Sequence, residues 1–140
     1  MTRSKLRTLL RAVLFLIFAV SGVAKFFDLE AFADKVGDFG IVIDAAVPAT
    51  ALVLACTELG VAAALLFLPK LGALLAALLL VLFLGVLGYG IARGLDIDCG
   101  CLPLGVREPL TVAFARDCAM LAAASYLYFS HPRATSTAPR

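Results

Sequence analysis

Residues 71–92 read LGALLAALLLVLFLGVLGYGIA, an apolar run without a single charged side chain. An α-helix of about 20 residues crosses the hydrocarbon core of a bilayer, which is about 30 Å thick. Backbone N–H and C=O groups find no water in lipid, so a run of this kind must form a helix there. The segment therefore predicts a membrane-spanning helix.

Three further apolar runs lie before and after this segment in the sequence, at residues 9–27, 47–68 and 110–129. Of the 140 residues, 63% are hydrophobic and 16% are charged, whereas soluble domains average about half and about a quarter. The composition excludes an ordinary soluble protein and a disordered chain. It predicts an all-α membrane protein with a single domain, a four-helix bundle over residues 1–130. The Ser-, Thr- and Pro-rich residues 131–140 are expected to form a disordered cytoplasmic tail.

The distribution of Lys and Arg predicts the orientation of the bundle, because cytoplasmic segments are enriched in these residues. The N-terminus, the short turn at Pro69-Lys70 and the tail carry cations and no acid. The segments 28–46 and 93–109 are rich in Asp and Glu. We therefore expect a multi-pass protein of a bacterial inner membrane, with both termini in the cytoplasm and these two loops outside.

A second interpretation of the N-terminus is a secretory signal peptide. Basic residues precede an apolar run that ends in Ser-Gly-Val-Ala, and cleavage after Ala24 would leave three helices. Lys25 continues directly from the apolar run, and the charge distribution fits four helices better than three.

The strongest local motif is Cys99-Gly100-Cys101, in the second outer loop. Two cysteines at i and i+2 lie at most about 7 Å apart, so a disulfide between them needs a bend, which Gly100 permits. A strained ring of this size is more readily reduced than an ordinary disulfide, which favours an exchangeable redox pair. The alternatives are a permanent bridge, two idle thiols, or half of a metal site completed by another chain. Four cysteines and one His make a conventional metal site within this chain a poor interpretation.

Ionisable residues also lie inside the predicted spans, where charges are costly and normally face a partner or a cavity. Glu58 lies near the middle of the second span, and Arg116 and Asp117 lie within the fourth. We expect Glu58 to pair with Arg116, and Lys25 either to pair with Asp117 or to extend to the surface. This polar network either holds the bundle together or lines a cavity for protons or a polar head group.

Cys56 and Cys118 lie at similar depths in the second and fourth spans. They form a second candidate thiol pair that would pass electrons inward from Cys99 and Cys101. The alternative is that they are simply small hydrophobic residues. In the first outer loop, apolar residues at positions 29, 32, 33 and 36 predict an amphipathic helix that covers the mouth of the bundle.

Several of these motifs together resemble a known family. The segment Ser21-Gly-Val-Ala-Lys-Phe-Phe-Asp28 resembles the DoxX-type membrane proteins. Glu58, Cys99-Gly100-Cys101 and Arg116-Asp117 narrow the resemblance to the MauE branch of that group, over roughly residues 10–129. By this resemblance Cys99 and Cys101 match the outer cysteine pair of the family, and Glu58 and Arg116 match its intramembrane charged positions. Cys56 and Cys118 match no family motif.

The resemblance implies a role in the maturation of an extracytoplasmic protein such as methylamine dehydrogenase, together with a thioredoxin-like partner. We therefore expect a component of a thiol–disulfide oxidoreductase system that exchanges at Cys99 and Cys101, with a quinone in the bundle as a candidate cofactor. A small proton-coupled transporter that uses Glu58 is one alternative. A non-catalytic membrane scaffold for an oxidoreductase is another.

Overall fold

The computed structural model describes residues 2–98 and 107–130. This part of the chain forms five α-helices and one short 3-10 turn, and no β-strand. The helices are α1 Arg3–Phe27, α2 Leu29–Asp38, α3 Val47–Phe67, α4 Pro69–Ala92 and α5 Leu110–Ser130, and the 3-10 turn is Asp44–Ala46. The prediction of an all-α protein is confirmed.

Four segments are long and apolar enough to cross a membrane: α1, the 3-10 turn together with α3, α4, and α5. Many of their large apolar side chains point outward, which is the arrangement that lipid rather than water stabilises. Examples are Leu16, Val53, Leu78, Val81 and Leu82. The chain is a multi-pass membrane protein, as four apolar runs predict.

The four long helices pack in a ring, in which α1 contacts α3, α3 contacts α4, α4 contacts α5, and α5 contacts α1. The core of the ring is apolar and contains Leu14, Leu65 and Leu80, all 1% exposed or less. Small residues allow close approach, as is common between helices in membranes. A Cβ atom added to Gly72 would fall on the backbone of Ala64 and Leu65, so the hairpin of α3 and α4 closes tightly just after its turn.

The first helix begins at Arg3, earlier than the predicted position 9, because the basic N-terminal residues continue the helix beyond the apolar run. This extension is connected to the end of α5, where Arg7 Nη1 donates a hydrogen bond of 2.9 Å to the carbonyl oxygen of Ser130. The predicted tail at 131–140 lies outside the described residues.

Helix α1 ends at Phe27, beside the middle of α3 rather than beside its first turn. Gly22, near the end of α1, packs directly on Leu59 in the middle of α3, and a Cβ atom there would lie 2.8 Å from the Leu59 side chain. Asp28 then stops α1 and caps α2, since its Oδ1 accepts a hydrogen bond of 3.2 Å from the N–H of Ala31. The break lets the chain change direction without leaving the bundle.

Helix α2 takes the place of α1 along the first turns of α3. The predicted amphipathic helix in the loop 28–46 is confirmed, and its apolar side is the one that packs. Phe32 and Ala33 are buried against Val47 and Ala51 of α3. Both α1 and α2 therefore pack on α3, and α2 also contacts α1.

Candidate functional site

A buried ion pair lies where α1, α2 and α3 meet. Nζ of Lys25 donates to both carboxylate oxygens of Glu58 at 2.7 Å and to the hydroxyl of Ser21 at 2.7 Å. Lys25 is 4% exposed and Glu58 is 1% exposed. The ring of Phe32 on α2 lies 5.0 Å from the Lys25 ammonium and covers it from the loop side. Charges this far from solvent are tolerated because each satisfies the other.

This geometry corrects the predicted pairing. Glu58 does not pair with Arg116, and Lys25 neither pairs with Asp117 nor extends to the surface. The prediction placed residues by their depth within each span, which assumes that all spans start at the same level. Because α1 ends early and α2 continues its layer, Lys25 lies at the depth of Glu58 even though it is almost the last residue of its helix.

Arg116 forms a second charged cluster, toward the start of α5. Its Nη1 donates to Oε2 of Glu108 at 2.6 Å, and its Nη2 and Nε donate to Oδ1 of Asp117 at 3.0 and 3.2 Å. Asp117 is 2% exposed. The other oxygen of Asp117, Oδ2, is buried and accepts no hydrogen bond from the described residues. An unsatisfied buried carboxylate oxygen is unusual and calls for a partner.

The two ends of the loop that carries the cysteine motif are held together. Asp98 and Pro109 form an isolated antiparallel bridge. Oδ2 of Asp98 accepts a hydrogen bond of 2.9 Å from Nζ of Lys35 on α2, and its Oδ1 accepts one of 3.4 Å from the N–H of Glu108. Cys99 and Cys101 lie outside the described residues. The residue immediately before Cys99 is thus attached to α2 and to the charged cluster at the start of α5.

Two cavities lie on either side of the Lys25–Glu58 pair. The α2 cavity, of about 240 Å³, is bordered by Lys25 and is otherwise mainly apolar. Its lining includes Phe32, Val36, Phe39, Leu54 and Val86. The central cavity, of about 300 Å³, receives side chains from all four membrane-spanning helices. Its lining includes Ser21, Glu58, Leu80, Phe83, Arg116 and Asp117.

The second candidate thiol pair is not joined in the structure. Cys56 and Cys118 are free, and both side chains are exposed. They belong to α3 and α5, which lie diagonally across the ring rather than side by side. Within residues 2–98 and 107–130 there is no group of three or more Cys, His, Asp or Glu side chains that would hold a metal ion.

Sequence reasoning counted Lys35, Asp98 and Glu108 only as loop charges and assigned them no site role. No periodicity in the sequence identifies them, because their contacts join separate elements. Lys35 and Asp98 are 63 positions apart. Asp98 and Glu108 are close in sequence to the cysteine motif and to Arg116, but Lys35 is not. Charge alone did not show which pairs would form.

The profile of the family described as methylamine utilisation protein MauE matches residues 3–130, which is almost the whole described chain. The chain belongs to the MauE family. This confirms the resemblance drawn from Glu58, the cysteine motif and Arg116-Asp117. The MauE match includes every helix of the bundle.

One curated MauE protein, the methylamine utilization protein MauE of Paracoccus denitrificans, is 35% identical to this chain over 105 residues. The matched segment is 73% of this chain and 56% of the relative, so the chain spans little more than half the length of that protein. No solved structure matches the chain.

Proposed function

We propose that this MauE-family protein supports thiol–disulfide exchange at Cys99 and Cys101, on the outer face of a bacterial inner membrane. The exchange serves the maturation of an extracytoplasmic protein, with a thioredoxin-like protein as the immediate partner. Methylamine utilisation is the process named for the relative, and we extend it to this chain, with methylamine dehydrogenase as the protein that is matured.

The observation that carries this proposal is the anchoring of the cysteine loop. Asp98 is bound by Lys35 and by the backbone of Glu108, and it bridges to Pro109. These contacts hold the residue directly before Cys99 at one end of the bundle. In exchange chemistry, a thiolate of the motif attacks a disulfide sulfur of the partner and passes through a mixed disulfide.

The buried ion pair argues against the transporter alternative. A carboxylate that binds and releases protons or cargo needs access to a solvent path, whereas both oxygens of Glu58 accept hydrogen bonds from Lys25. Glu58 is also 1% exposed. The Lys25–Glu58 pair fits a role in holding α1, α2 and α3 together.

The experiment measures thiol states in native membranes with a mass-tagging maleimide, before and after reduction. The test variant is Cys99→Ser with Cys101→Ser, and the matched control is Cys56→Ser with Cys118→Ser, which removes two exposed thiols elsewhere. We expect the loop cysteines to change oxidation state with growth conditions in wild type and control. Only when the loop pair is absent should the thioredoxin-like partner show a different ratio of oxidised to reduced form from that in wild type.

The single variants Cys99→Ser and Cys101→Ser identify the attacking thiol. When the second cysteine is missing, the mixed disulfide with the partner is not resolved and accumulates. We therefore expect one of the two variants to yield a covalent adduct that reduction releases. A loop pair that keeps one oxidation state under all conditions, with a partner unaffected by its removal, contradicts the proposal.

A further inference from the structure

A small polar pocket lies at the end of the bundle that holds the α3–α4 turn, and we call it the basic pocket. Its volume is about 210 Å³. It is lined by Ser4, Arg7, Thr8 and Arg11 of α1, by Pro69 at the start of α4 and by Leu127 in the last turn of α5. The four residues of α1 have the spacing i, i+3, i+4 and i+7, so they lie on one face of the helix. The basic pocket is therefore formed where α1, α4 and α5 meet.

The positive charge of this pocket has no carboxylate to balance it. Arg7 donates hydrogen bonds of 2.9 and 3.3 Å to the backbone carbonyl oxygens of Ser130 and Arg3, which are neutral acceptors. The guanidinium of Arg11, one turn along the helix, is partly buried and donates no hydrogen bond to any described residue. Helices α1 and α4 contain no Asp or Glu, and α5 contains none after Asp117. The two guanidinium groups are thus open to an anionic ligand.

The basic pocket lies at the level where the apolar spans end. Helix α4 begins at Pro69 and α5 ends at Ser130, so the headgroups of a bilayer would lie beside the pocket. The side chains of Phe67, Leu68 and Leu71, close to Pro69 in sequence, are exposed and apolar. A ligand in the pocket would therefore have both a polar surface and a hydrocarbon surface next to it.

Phosphate is the anion that suits two guanidinium groups. A guanidinium presents several N–H donors in a planar fork that matches the oxygens of a phosphate. Basic pockets between membrane helices on the cytoplasmic side bind phospholipid headgroups. The enrichment of Lys and Arg in cytoplasmic segments accounts for cations at this end, but it does not require two of them to share a pocket. The shared pocket therefore favours recognition of a phosphate.

We propose that the basic pocket binds the headgroup of an anionic phospholipid, with its phosphodiester on the guanidinium groups of Arg7 and Arg11. The acyl chains lie along the exposed apolar residues of the α3–α4 hairpin. The bound lipid joins the start of α1 to the start of α4 and stabilises this end of the bundle. The site lies at the opposite end from Asp98 and Pro109, so binding does not depend on thiol exchange.

The binding test uses the full chain in dodecyl maltoside micelles, and the shift of the thermal unfolding midpoint gives the affinity. Dioleoyl phosphatidylglycerol and dioleoyl phosphatidylcholine are titrated separately, because they share their acyl chains and differ in the net charge of the headgroup. We expect phosphatidylglycerol to bind roughly tenfold more tightly, because the choline cation offsets the phosphate charge. Inorganic phosphate is the third probe, and it should give no shift at the same concentration because it has no acyl chains.

Arg11→Gln removes a guanidinium that makes no hydrogen bond to the described protein. We expect the affinity for phosphatidylglycerol to fall roughly tenfold, as for the loss of a hydrogen bond to a charged group. Arg3→Gln is the matched control, because Arg3 lies on the same helix, is exposed and does not line the pocket. It removes the same charge and should change the affinity by no more than about twofold.

Ser4→Asp tests the same pocket without weakening the helix. An acidic side chain in the first turn favours a helix, because the N-terminus of the helix is positive. The new carboxylate competes with the phosphate for the guanidinium groups, so binding of phosphatidylglycerol should be lost. Ser4→Asn, which has a similar size and no charge, is its control and should retain binding.

Three kinds of result would overturn the proposal. Equal shifts with phosphatidylglycerol and phosphatidylcholine would show that the charge of the headgroup is not recognised. Equal weakening by Arg11→Gln and Arg3→Gln, or unchanged binding in Ser4→Asp, would show that the headgroup does not lie in the basic pocket. A shift of equal size with inorganic phosphate would show that the pocket takes a soluble anion rather than a lipid.

Discussion

Lys25 and Glu58 are charged residues that are buried against each other. Burying an ion pair requires both charges to lose their hydration. Removing one partner is much more destabilising, because it leaves a buried charge without compensation. The pair sits between the α2 cavity and the central cavity, with Phe32 over the ammonium. The pair therefore joins α1 to α3, and the Phe32 ring brings α2 against it.

Removing one member of this pair is predicted to destabilise the bundle strongly. Glu58→Met leaves Lys25 buried without its partner, and Lys25→Met does the same to Glu58. Each is expected to lower the free energy of unfolding by about 3–5 kcal/mol. Denaturant unfolding in detergent micelles measures the free energy of unfolding of each variant and of the wild type.

The double variant Lys25→Met with Glu58→Met separates charge pairing from packing. Apolar side chains of similar length need no partner, so the double variant should recover most of the stability that either single variant loses. A double variant as unstable as the singles would show that the pair does not act as a unit.

At the scale of secondary-structure elements, α2 joins the buried bundle to the cysteine loop. Its Phe32 covers the ion pair, and its Lys35 holds Asp98 at the base of the loop. The Lys35 and Asp98 side chains are 29% and 18% exposed, so solvent screens part of their attraction.

Lys35→Met is predicted to loosen the base of the loop and increase the alkylation rate of reduced Cys99 and Cys101. A partly exposed ion pair contributes about 1 kcal/mol or less, so the increase should be up to about fivefold. Stopped alkylation followed by mass spectrometry measures the rate. Lys5→Met, at the opposite end of the bundle, is the control, and equal rates in both variants would contradict an anchoring role for Lys35.

Two glycines of α4 are predicted to respond in opposite ways to substitution by alanine. At Gly72 a Cβ atom would fall on the α3 backbone, whereas at Gly85 it would meet nothing within 4 Å. Gly72→Ala should therefore cost about 1–3 kcal/mol by overpacking. Gly85→Ala should be neutral or slightly stabilising, because Ala favours a helix over Gly. Thermal unfolding of the two variants in the same detergent tests this, and equal midpoints would refute the tight contact at Gly72.

At the scale of the whole molecule, the distribution of charge predicts which end of the bundle faces the cytoplasm. The α3–α4 turn at Pro69-Lys70 lies at one end, and Asp98 and Pro109, which flank the cysteine motif, lie at the other, because four long helices run alternately up and down. The excess of Lys and Arg at the first end predicts that it is cytoplasmic.

A membrane-impermeant maleimide is predicted to label Cys99 or Cys101 in intact spheroplasts after mild reduction. A cysteine introduced by Lys70→Cys, in a background without the four native cysteines, should react only after the membrane is permeabilised. Labelling of the Lys70→Cys protein in intact spheroplasts would reverse the topology. The same samples give the mass of the N-terminus, which distinguishes four spans from cleavage after Ala24.

Much of the fold was predictable from local sequence because lipid imposes a simple rule. Apolar runs such as residues 71–92 must be helices in a bilayer, and the pattern at positions 29, 32, 33 and 36 has helical period. The extra turns of α1 back to Arg3 were missed because a helix does not stop where hydrophobicity stops. The pairing of Glu58 was missed because depth within a span says nothing about where neighbouring spans begin.

The sequence by itself determined the number of spans, the family, and the types of side chain that carry chemistry. These follow from composition, periodicity and local motifs, all of which are properties of short segments. Only the tertiary structure decided that Lys25 pairs with Glu58, that Lys35 binds Asp98, and that Arg116 binds both Glu108 and Asp117. Those contacts depend on the early end of α1 and on the relative level and rotation of separate helices, which many weak packing contacts determine together.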